Sequence, residues 1–248
     1  MGIGRYKLLA LDMDGTLLNS QHEVSDENRE WMFKALEEGV MVMLSTGRGV
    51  QNVYPYCDKL NLNSPIVAVN GSEVWKAPRE LLKRTLMDVD QIRAMHALAQ
   101  RYDSWYWAYA VEGLFNKETW TGESLDSLQW LKFGFFTEND DSRARILEWL
   151  HEQGIYEITN SHPHNLEINP IGVSKASGLR QVCDMLGIDM SEVVAMGDSM
   201  NDMSMIREAG LGVAMGNAQD ALKAAAKLVT VTNNEHAVAK IIKEHVLV

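Results

Sequence analysis

Four consecutive apolar residues near the start of the chain, Leu8–Leu11, are followed at once by two aspartates that lie one residue apart, Asp12 and Asp14. An uninterrupted apolar run of this length is typical of a β-strand buried on both faces, as found in parallel sheets covered by helices. Two carboxylates so close together repel each other unless a cation lies between them. This segment therefore predicts a parallel sheet with a charged site at the end of one strand.

The segments at both ends of the chain alternate between strands and helices. A helix is predicted from its cap at Ser25 to Gly39, and a buried strand follows in "VMVMLSTGR". In the last third, Ser174 is expected to cap another helix, "EVVAMGDSMND" contains a buried strand, and Asn217 is expected to cap a later helix. Strand–helix–strand repetition implies parallel strands joined by right-handed crossovers. The expected fold class is α/β with a doubly wound parallel sheet.

The middle of the chain has a different composition. Residues 84–164 contain five of the seven tryptophans, and the helices and strands predicted there follow an α+β pattern. We therefore expect an inserted α+β domain at 83–164 and a core domain formed by 1–82 and 165–248.

Polar side chains follow three of the predicted strands and open one predicted helix. Ligands of doubly wound sheets bind outside the carboxyl ends of the strands, so these side chains are expected to converge on one site. They are Asp12 with Asp14, Ser45 to Arg48, Lys175, and Asp198 with Asn201 and Asp202.

The carboxylates of these clusters suit phosphoryl transfer through a covalent intermediate. Asp12 can attack phosphorus and form an aspartyl-phosphate. Attack by an anion on a phosphate requires a divalent metal, and Asp12 with Asp198 offers the oxygen ligands that Mg²⁺ prefers. Asp14 can protonate the leaving oxygen and then take a proton from the water that hydrolyses the intermediate.

The remaining polar residues are suited to hold a phosphate. Lys175 supplies a positive charge, while Thr46 and Asn201 supply neutral hydrogen-bond donors. Gly15 and Gly47 allow backbone N–H groups to approach an anion closely.

Four segments, "DMDGTLL", "LSTGR", the lysine of "GVSK" and "GDSMND", resemble in this order the four motifs of the haloacid dehalogenase superfamily of phosphatases. With "EINPIGVSK" and "GVAMGNA" included, the pattern is similar to the Cof-type, sugar-phosphatase-like branch of that superfamily. The motifs cover the core, whereas the inserted segment matches in position and size only. The resemblance implies a Rossmann-like core, a large α+β cap domain (class IIB) inserted after the third core strand, and Mg²⁺ as cofactor.

The resemblance also implies a role for each acidic residue. Asp12 is the nucleophile and a metal ligand. Asp14 is the general acid and base, and it binds the metal through its backbone carbonyl. Asp198 is a metal ligand, and Asp202 supports the metal site without binding the metal directly.

Five further residues are placed around the phosphate by the same resemblance. They are Met13 and Gly47, through their backbones, and Thr46, Lys175 and Asn201. Ala176 stands where the family pattern has glycine, but this position lies inside a helix and affects none of these roles.

Several residues also allow a structural interpretation. Asp202 is suited to cap the following helix, and Arg48 to pair with a carboxylate in the core or to contact substrate. His162 and His164 could suggest zinc, but no further ligands at metal spacing accompany them, so a loop at the domain junction is favoured. Core packing and stacking on a substrate ring are both open for the tryptophans of the inserted segment.

The net charge, the length of the apolar stretches and the cysteine content limit the kinds of binding partner that are expected. A net charge of −11 argues against a nucleic-acid surface, and no apolar stretch approaches the ~20 residues that cross a bilayer. Two isolated cysteines, with no signal peptide at "MGIGRYK", favour a cytoplasmic protein. The expected partner is a small phosphorylated metabolite. A sugar phosphate is the first candidate for the substrate, and nucleotides, flavin mononucleotide and pyridoxal phosphate are alternatives. The sequence is compatible with a monomer and with a homodimer.

The expected activity is that of a Mg²⁺-dependent phosphomonoester phosphatase. One alternative is a phosphomutase, which would transfer the phosphoryl group from Asp12 to a second position on a sugar. Another is a regulatory module in which Asp12 only accepts a phosphoryl group, but such a module has no need of Asp14. A P-type ATPase domain is disfavoured because its motif has lysine where this chain has Asp14.

Overall fold

The computed structural model describes residues 5–120 and 122–248, and within them the chain forms thirteen β-strands and eight α-helices. The strands are β1 Leu8–Leu11, β2 Met41–Ser45, β3 Ile66–Ala68, β4 Glu73–Ala77, β5 Glu80–Arg84, β6 Trp105–Ala110, β7 Gly113–Asn116, β8 Trp130–Phe136, β9 Tyr156–Thr159, β10 Asn165–Pro170, β11 Val193–Gly197, β12 Leu211–Ala214 and β13 Leu228–Val229. The helices are α1 Asp26–Glu37, α2 Tyr54–Leu60, α3 Val89–Arg101, α4 Asp140–Gln153, α5 Lys175–Leu186, α6 Met203–Glu208, α7 Asp220–Ala225 and α8 Ala237–Ile241.

The first sheet has eight strands in the order β13-β12-β11-β1-β2-β3-β4-β5. The six strands from β13 to β3 are parallel, and β4 and β5 continue the sheet in antiparallel fashion. The chain moves from β1 to β2 and β3 on one side and returns to β11, β12 and β13 on the other. The strand order reverses at β1. Ligands of doubly wound folds bind at the carboxyl ends of the strands beside such a point, which here is the carboxyl end of β1. The α/β fold class is confirmed.

The local sequence explains the central elements of this sheet. All four residues of β1 are completely buried between β2 and β11, which agrees with the apolar run. Ser25 caps α1 by accepting a hydrogen bond from Asn28 N, and Ser174 caps α5 in the same way from Ser177 N. The expectation for Asn217 is wrong, because α7 begins only at Asp220, and the Asn217 side chain instead donates to the carbonyl oxygen of Gly15.

The second sheet has five antiparallel strands in the order β7-β6-β8-β10-β9. Helices α3 and α4 pack against it, and together they enclose a separate cluster of buried apolar residues. Its opposite face carries Trp107, Lys132 and Glu167, which line the same pocket as residues of the first sheet.

The sheets do not follow the expected boundaries of the inserted domain at 83–164. Residues 165–170 form β10, which pairs with β8 and β9 of the second sheet, and residues 83–84 belong to β5 of the first sheet. The sequence shows that these segments are strands, but the choice of sheet depends on long-range pairing. We therefore propose that the inserted domain spans 85–170. None of the helices among the described residues is long and apolar enough to cross a membrane.

Candidate active site

The predicted polar clusters meet at the carboxyl ends of three adjacent strands. Asp12 follows β1, Thr46 follows β2 and Asp198 follows β11. Since β1 pairs with both β2 and β11, the loops after these strands are direct neighbours. The expected convergence therefore occurs at the strand where the sheet order reverses.

Three carboxylates form a tight group at this edge. Asp12, Asp198 and Asp202 each place one oxygen within 4.8 Å of the others, and no other group of three or more His, Cys, Asp or Glu ligands forms within residues 5–120 and 122–248. Burial raises the pKa of Asp12 well above its usual value, against the effect of Lys175. Burial and the charge of Asp202 raise the pKa of Asp198 to about 7. Carboxylates grouped this closely are stabilised either by protonation or by a bound cation.

Lys175 is the cation that the structure places inside this group. Its side chain is fully buried, and Nζ donates to Oδ1 of Asp12 and to Oδ1 of Asp202, both at 2.6 Å. Burial alone would lower the pKa of Lys175, but the two carboxylates raise it, so the side chain is charged. The first turn of α5, capped by Ser174, fixes this ammonium against the end of β1.

The side chain of Asp202 does not cap α6, the helix that follows it, so this expectation is wrong. Its Oδ2 accepts hydrogen bonds from the backbone N–H groups of Asp198 and Ser199 at 2.9 and 3.0 Å, which orders the short 3₁₀ turn Met200–Asp202. Its Oδ1 binds Lys175 in the carboxylate group. Asp202 and Lys175 are completely buried, and they lie behind Asp12 rather than at the surface of the pocket.

Asp14 lies apart from the other carboxylates, at the rim of the pocket. Its side chain is half exposed and accepts two hydrogen bonds from Arg48, at 2.7 Å from Nε and 2.5 Å from Nη2. Arg48 therefore pairs with a carboxylate as expected, but this carboxylate lies at the rim of the pocket and not in the core. Gly15, at φ 76°, turns the chain after Asp14, and a Cβ there would come within 2.5 Å of Asp198 Oδ2.

Three of the five residues expected around a phosphate line the pocket beside Asp12, whereas Lys175 and Met13 do not line it. Thr46 is buried, and its hydroxyl accepts a hydrogen bond from the backbone N–H of Arg48 at 3.2 Å. Thr46, Gly47 and Asn201 line the pocket together with Asp12. The Met13 side chain is completely buried, and its carbonyl oxygen accepts a hydrogen bond from the backbone of Leu18 at 2.9 Å.

The pocket between the two sheets has a volume of about 420 Å³. On the side of the second sheet it is lined by Trp107, Tyr109, Lys132, Asn165 and Glu167. The Trp107 indole lies directly over Gly134, where a Cβ would come within 2.3 Å of its six-membered ring. The pocket is thus charged and oxygen-rich at the first sheet and partly aromatic at the second.

Three residues of this region were not singled out by sequence reasoning: Asn70, Lys132 and Glu167. Asn70 lies in an Asn-Gly pair, and Glu167 is the first residue of the segment "EINPIGVSK", but neither residue was given a role. A lysine in the middle of the apolar strand Trp130–Phe136 is the signal that could have revealed Lys132, since a buried lysine needs a partner. His162 and His164 lie in a loop, as expected, but this loop joins β9 and β10 within the second sheet and is not where the chain passes between the two sheets.

Comparison with known proteins agrees with this geometry. A family model described as haloacid dehalogenase-like hydrolase matches residues 9–143 and 117–242. The chain is 45% identical to the 5-amino-6-(5-phospho-D-ribitylamino)uracil phosphatase YcsE of Bacillus subtilis (strain 168), over 97% of this chain and 96% of that protein. It is 32% identical to the similarly named phosphatase YitU of the same organism, over 96% of this chain and 97% of that protein.

A solved haloacid dehalogenase-like hydrolase from B. subtilis has the same fold, with a TM-score of 0.88 at 25% identity over 97% of this chain and 100% of the other. The family match, the two phosphatase relatives and this structural similarity all extend over nearly the whole chain. The chain therefore belongs to the haloacid dehalogenase-like hydrolases, and within them it is a phosphatase of the Cof-type branch.

Proposed function

We propose that the protein is a Mg²⁺-dependent phosphomonoester phosphatase that acts through an aspartyl-phosphate on Asp12. The observation that carries this proposal is the environment of Asp12. Its carboxylate lies at the end of a buried strand, bonded to Lys175 and within 4.8 Å of the ligand oxygens of Asp198 and Asp202, and it lines the pocket.

The donor set fits a magnesium ion. Three ionised carboxylates against one buried ammonium leave a net charge of −2 among Asp12, Asp198, Asp202 and Lys175. A divalent cation balances this charge, and carboxylate oxygens are the ligands it prefers. Asp12, Asp198 and the Asp14 carbonyl would hold the ion, and Asp202 would support it. When bound, the ion supplies charge neutralisation between the anionic nucleophile and the phosphate.

The residues of the site supply the remaining chemistry. Lys175 holds one oxygen of Asp12, which leaves the other free to form a bond to phosphorus while the bond from phosphorus to the leaving oxygen breaks. Asp14, whose two oxygens accept hydrogen bonds from Arg48 in the structure, must turn away from Arg48 and take up a proton from solvent, which it then gives to the leaving oxygen. In the second half, Asp14 takes a proton from water as the water oxygen attacks phosphorus, and the bond to Asp12 breaks to release phosphate.

For the substrate, we propose a phosphorylated polyol that carries a flat heterocycle, with 5-amino-6-(5-phospho-D-ribitylamino)uracil as the first candidate in place of a simple sugar phosphate. Three relatives at 30% identity or more are named for this compound. The exposed part of Trp107 gives the pocket an aromatic surface, and Lys132 and Asn165 give it polar groups for ring substituents and hydroxyls.

The test is phosphate release from this compound, flavin mononucleotide, pyridoxal phosphate, nucleotides and sugar phosphates, each with Mg²⁺ or with EDTA. We expect the pyrimidine compound to have the highest kcat/KM and EDTA to abolish turnover. Stoichiometric phosphate release without a bisphosphate activator distinguishes a phosphatase from a phosphomutase. Absence of Mg²⁺-dependent release from every compound would contradict the proposal.

Trp107→Ala tests the substrate class. Because stacking on an aromatic side chain contributes about 1–3 kcal/mol per base, the variant should raise KM for the pyrimidine substrate roughly tenfold or more. KM for glycerol phosphate, which has no ring, should change less than about threefold. Equal changes for both substrates would show that Trp107 does not contact the heterocycle.

We also propose that the protein works in the cytoplasm. Both cysteines, Cys57 and Cys183, are buried as free thiols, and burial raises the pKa of each to about 11, which keeps them protonated. Free thiols of this kind persist in a reducing compartment.

A further inference from the structure

Residues Val69 to Gly71 form an unusual turn beside the phosphate-binding residues. The φ angles of Val69, Asn70 and Gly71 are 50°, 56° and 103°, so three consecutive residues have positive values. The left-handed region is costly for a β-branched residue such as valine, and strain of this kind persists only where the surroundings hold it. Here the backbone N–H groups of Val69 and Asn70 donate to the carbonyl oxygens of Arg48 and Thr46, both at 3.0 Å.

This turn places the side-chain amide of Asn70 between Asn201, which is expected to bind phosphate, and Glu167 of the second sheet. Asn70 is buried, its Oδ1 accepts a hydrogen bond from Asn201 Nδ2 at 3.2 Å, and its Nδ2 donates to Glu167 Oε2 at 2.6 Å. The amide of Asn201 therefore has a fixed orientation, which is set by Asn70 and, through it, by Glu167.

Glu167 is held in turn by several partners. It is 4% exposed, and it also binds Lys132 Nζ at 2.9 Å and the hydroxyl of Ser161 at 2.5 Å. Burial would raise the pKa of Glu167, but the charge of Lys132 and the hydrogen bonds outweigh it and hold the pKa below the usual value. Lys132 Nζ completes the network by donating to the carbonyl oxygen of Gly47 at 2.9 Å.

The network closes around Gly47. A Cβ at this position would come within 3.0 Å of Asn70 Oδ1 and within 3.4 Å of both Asn201 Nδ2 and Glu167 Oε2. Lys132 and Glu167 belong to β8 and β10 of the second sheet, whereas Gly47, Asn70 and Asn201 follow strands of the first. The phosphate-binding groups are therefore ordered by side chains of the inserted segment.

We infer that Asn70 and Glu167 are positioning residues of the phosphate site, which orient Asn201 and the Gly47 loop only when the second sheet is docked on the first. This inference rests on the proposed function, in which Asn201 and Gly47 contact the phosphate. It means that the inserted domain contributes to binding of the phosphate itself and not only to recognition of the leaving group.

Asn70→Gly tests this role without new backbone strain, because glycine adopts positive φ freely. The matched control is Asn61→Gly, which replaces an exposed asparagine at φ 50° that lines a pocket with Met41, at the opposite end of β2 from Thr46. In the Mg²⁺-bound enzyme we expect Asn70→Gly to raise KM and the inhibition constant of inorganic phosphate together by about tenfold, with kcat changed less than about threefold. Asn61→Gly should leave all three unchanged.

A double-mutant cycle tests whether Asn70 and Glu167 act together. Asn70→Gly and Glu167→Gln should each weaken phosphate inhibition about tenfold. Because both substitutions break the same hydrogen bond, the double variant should also weaken phosphate inhibition by about tenfold, and not by about a hundredfold. The inference is overturned if Asn70→Gly leaves phosphate inhibition unchanged, or if the effects of the two substitutions multiply. An inactive wild-type enzyme would instead count against the proposed function.

Discussion

Asp14→Asn separates catalysis from structure at this site. The Asp14 side chain is 49% exposed and its partner Arg48 is 24% exposed, so the substitution removes one charge from a pair that water partly screens. Pairs of this kind contribute up to ~1 kcal/mol to stability. For a domain of this size, that loss corresponds to a fall in Tm of about 2–4 °C.

The expected effect on turnover is far larger. Loss of a positioned general acid and base reduces rates by about 100- to 10,000-fold, or ~2.7–5.5 kcal/mol in activation free energy. The carboxylates of Asp12, Asp198 and Asp202 are untouched, so the affinity for Mg²⁺ should change little.

The leaving group makes the assay specific. p-Nitrophenolate leaves without a proton, so phosphorylation of Asp12 should proceed in Asp14→Asn when p-nitrophenyl phosphate is the substrate. Hydrolysis of the intermediate still needs the missing base. We therefore expect a rapid burst of about one equivalent of p-nitrophenol per enzyme molecule, followed by slow turnover, and no such burst of leaving alcohol from an alkyl phosphate.

Two results would refute this reasoning. Turnover within about threefold of wild type would show that Asp14 moves no proton. A fall in Tm much beyond about 4 °C, with activity lost in proportion to unfolded protein, would assign the effect to stability instead.

Two further predictions concern the buried charges. Lys175→Met leaves Asp12 and Asp202 without the ammonium group that both contact at 2.6 Å. Urea unfolding of the EDTA-treated protein should therefore show a free energy of unfolding that is lower by ~3–5 kcal/mol, and Mg²⁺ should restore part of it. A loss under ~1 kcal/mol would contradict this prediction. Because the pKa of Asp198 is raised from 3.8 to about 7, the stability it contributes without metal is present at low pH and is lost as the pH rises through about 7. Mg²⁺ should therefore raise Tm more at pH 8 than at pH 6, and an equal increment at both values would show that Asp198 does not bind the ion.

The sequence was sufficient wherever a local rule decides the structure. The apolar run of β1 and the capping serines Ser25 and Ser174 were read correctly, because burial on both faces and side-chain capping are encoded within a few residues. The convergence of Asp12, Thr46 and Asp198 followed from one geometric property of parallel sheets. Their roles in catalysis stay predictions until variants are measured.

What the sequence could not supply depends on distant partners. Nothing near Glu167 shows that Lys132 and Asn70 will surround it, since these residues are separated by 35 and 97 positions. The same holds for Arg48, whose carboxylate partner Asp14 is 34 positions away. The failed cap at Asn217 has a similar cause, because tertiary hydrogen bonds to Gly15 and Asn233 compete with local capping.

The linker between the last strand of the inserted segment and the helix of Lys175 has a consequence for engineering. Strand β10 ends at Pro170 and α5 begins at Lys175, so four residues, 171–174, separate them and can span about 14 Å at most. A chimaera in which the inserted domain is replaced by that of another protein must therefore keep the length and register of this linker. A graft that lengthens or shortens it displaces the ammonium beside Asp12, and the hybrid loses turnover even when its new pocket fits the intended compound.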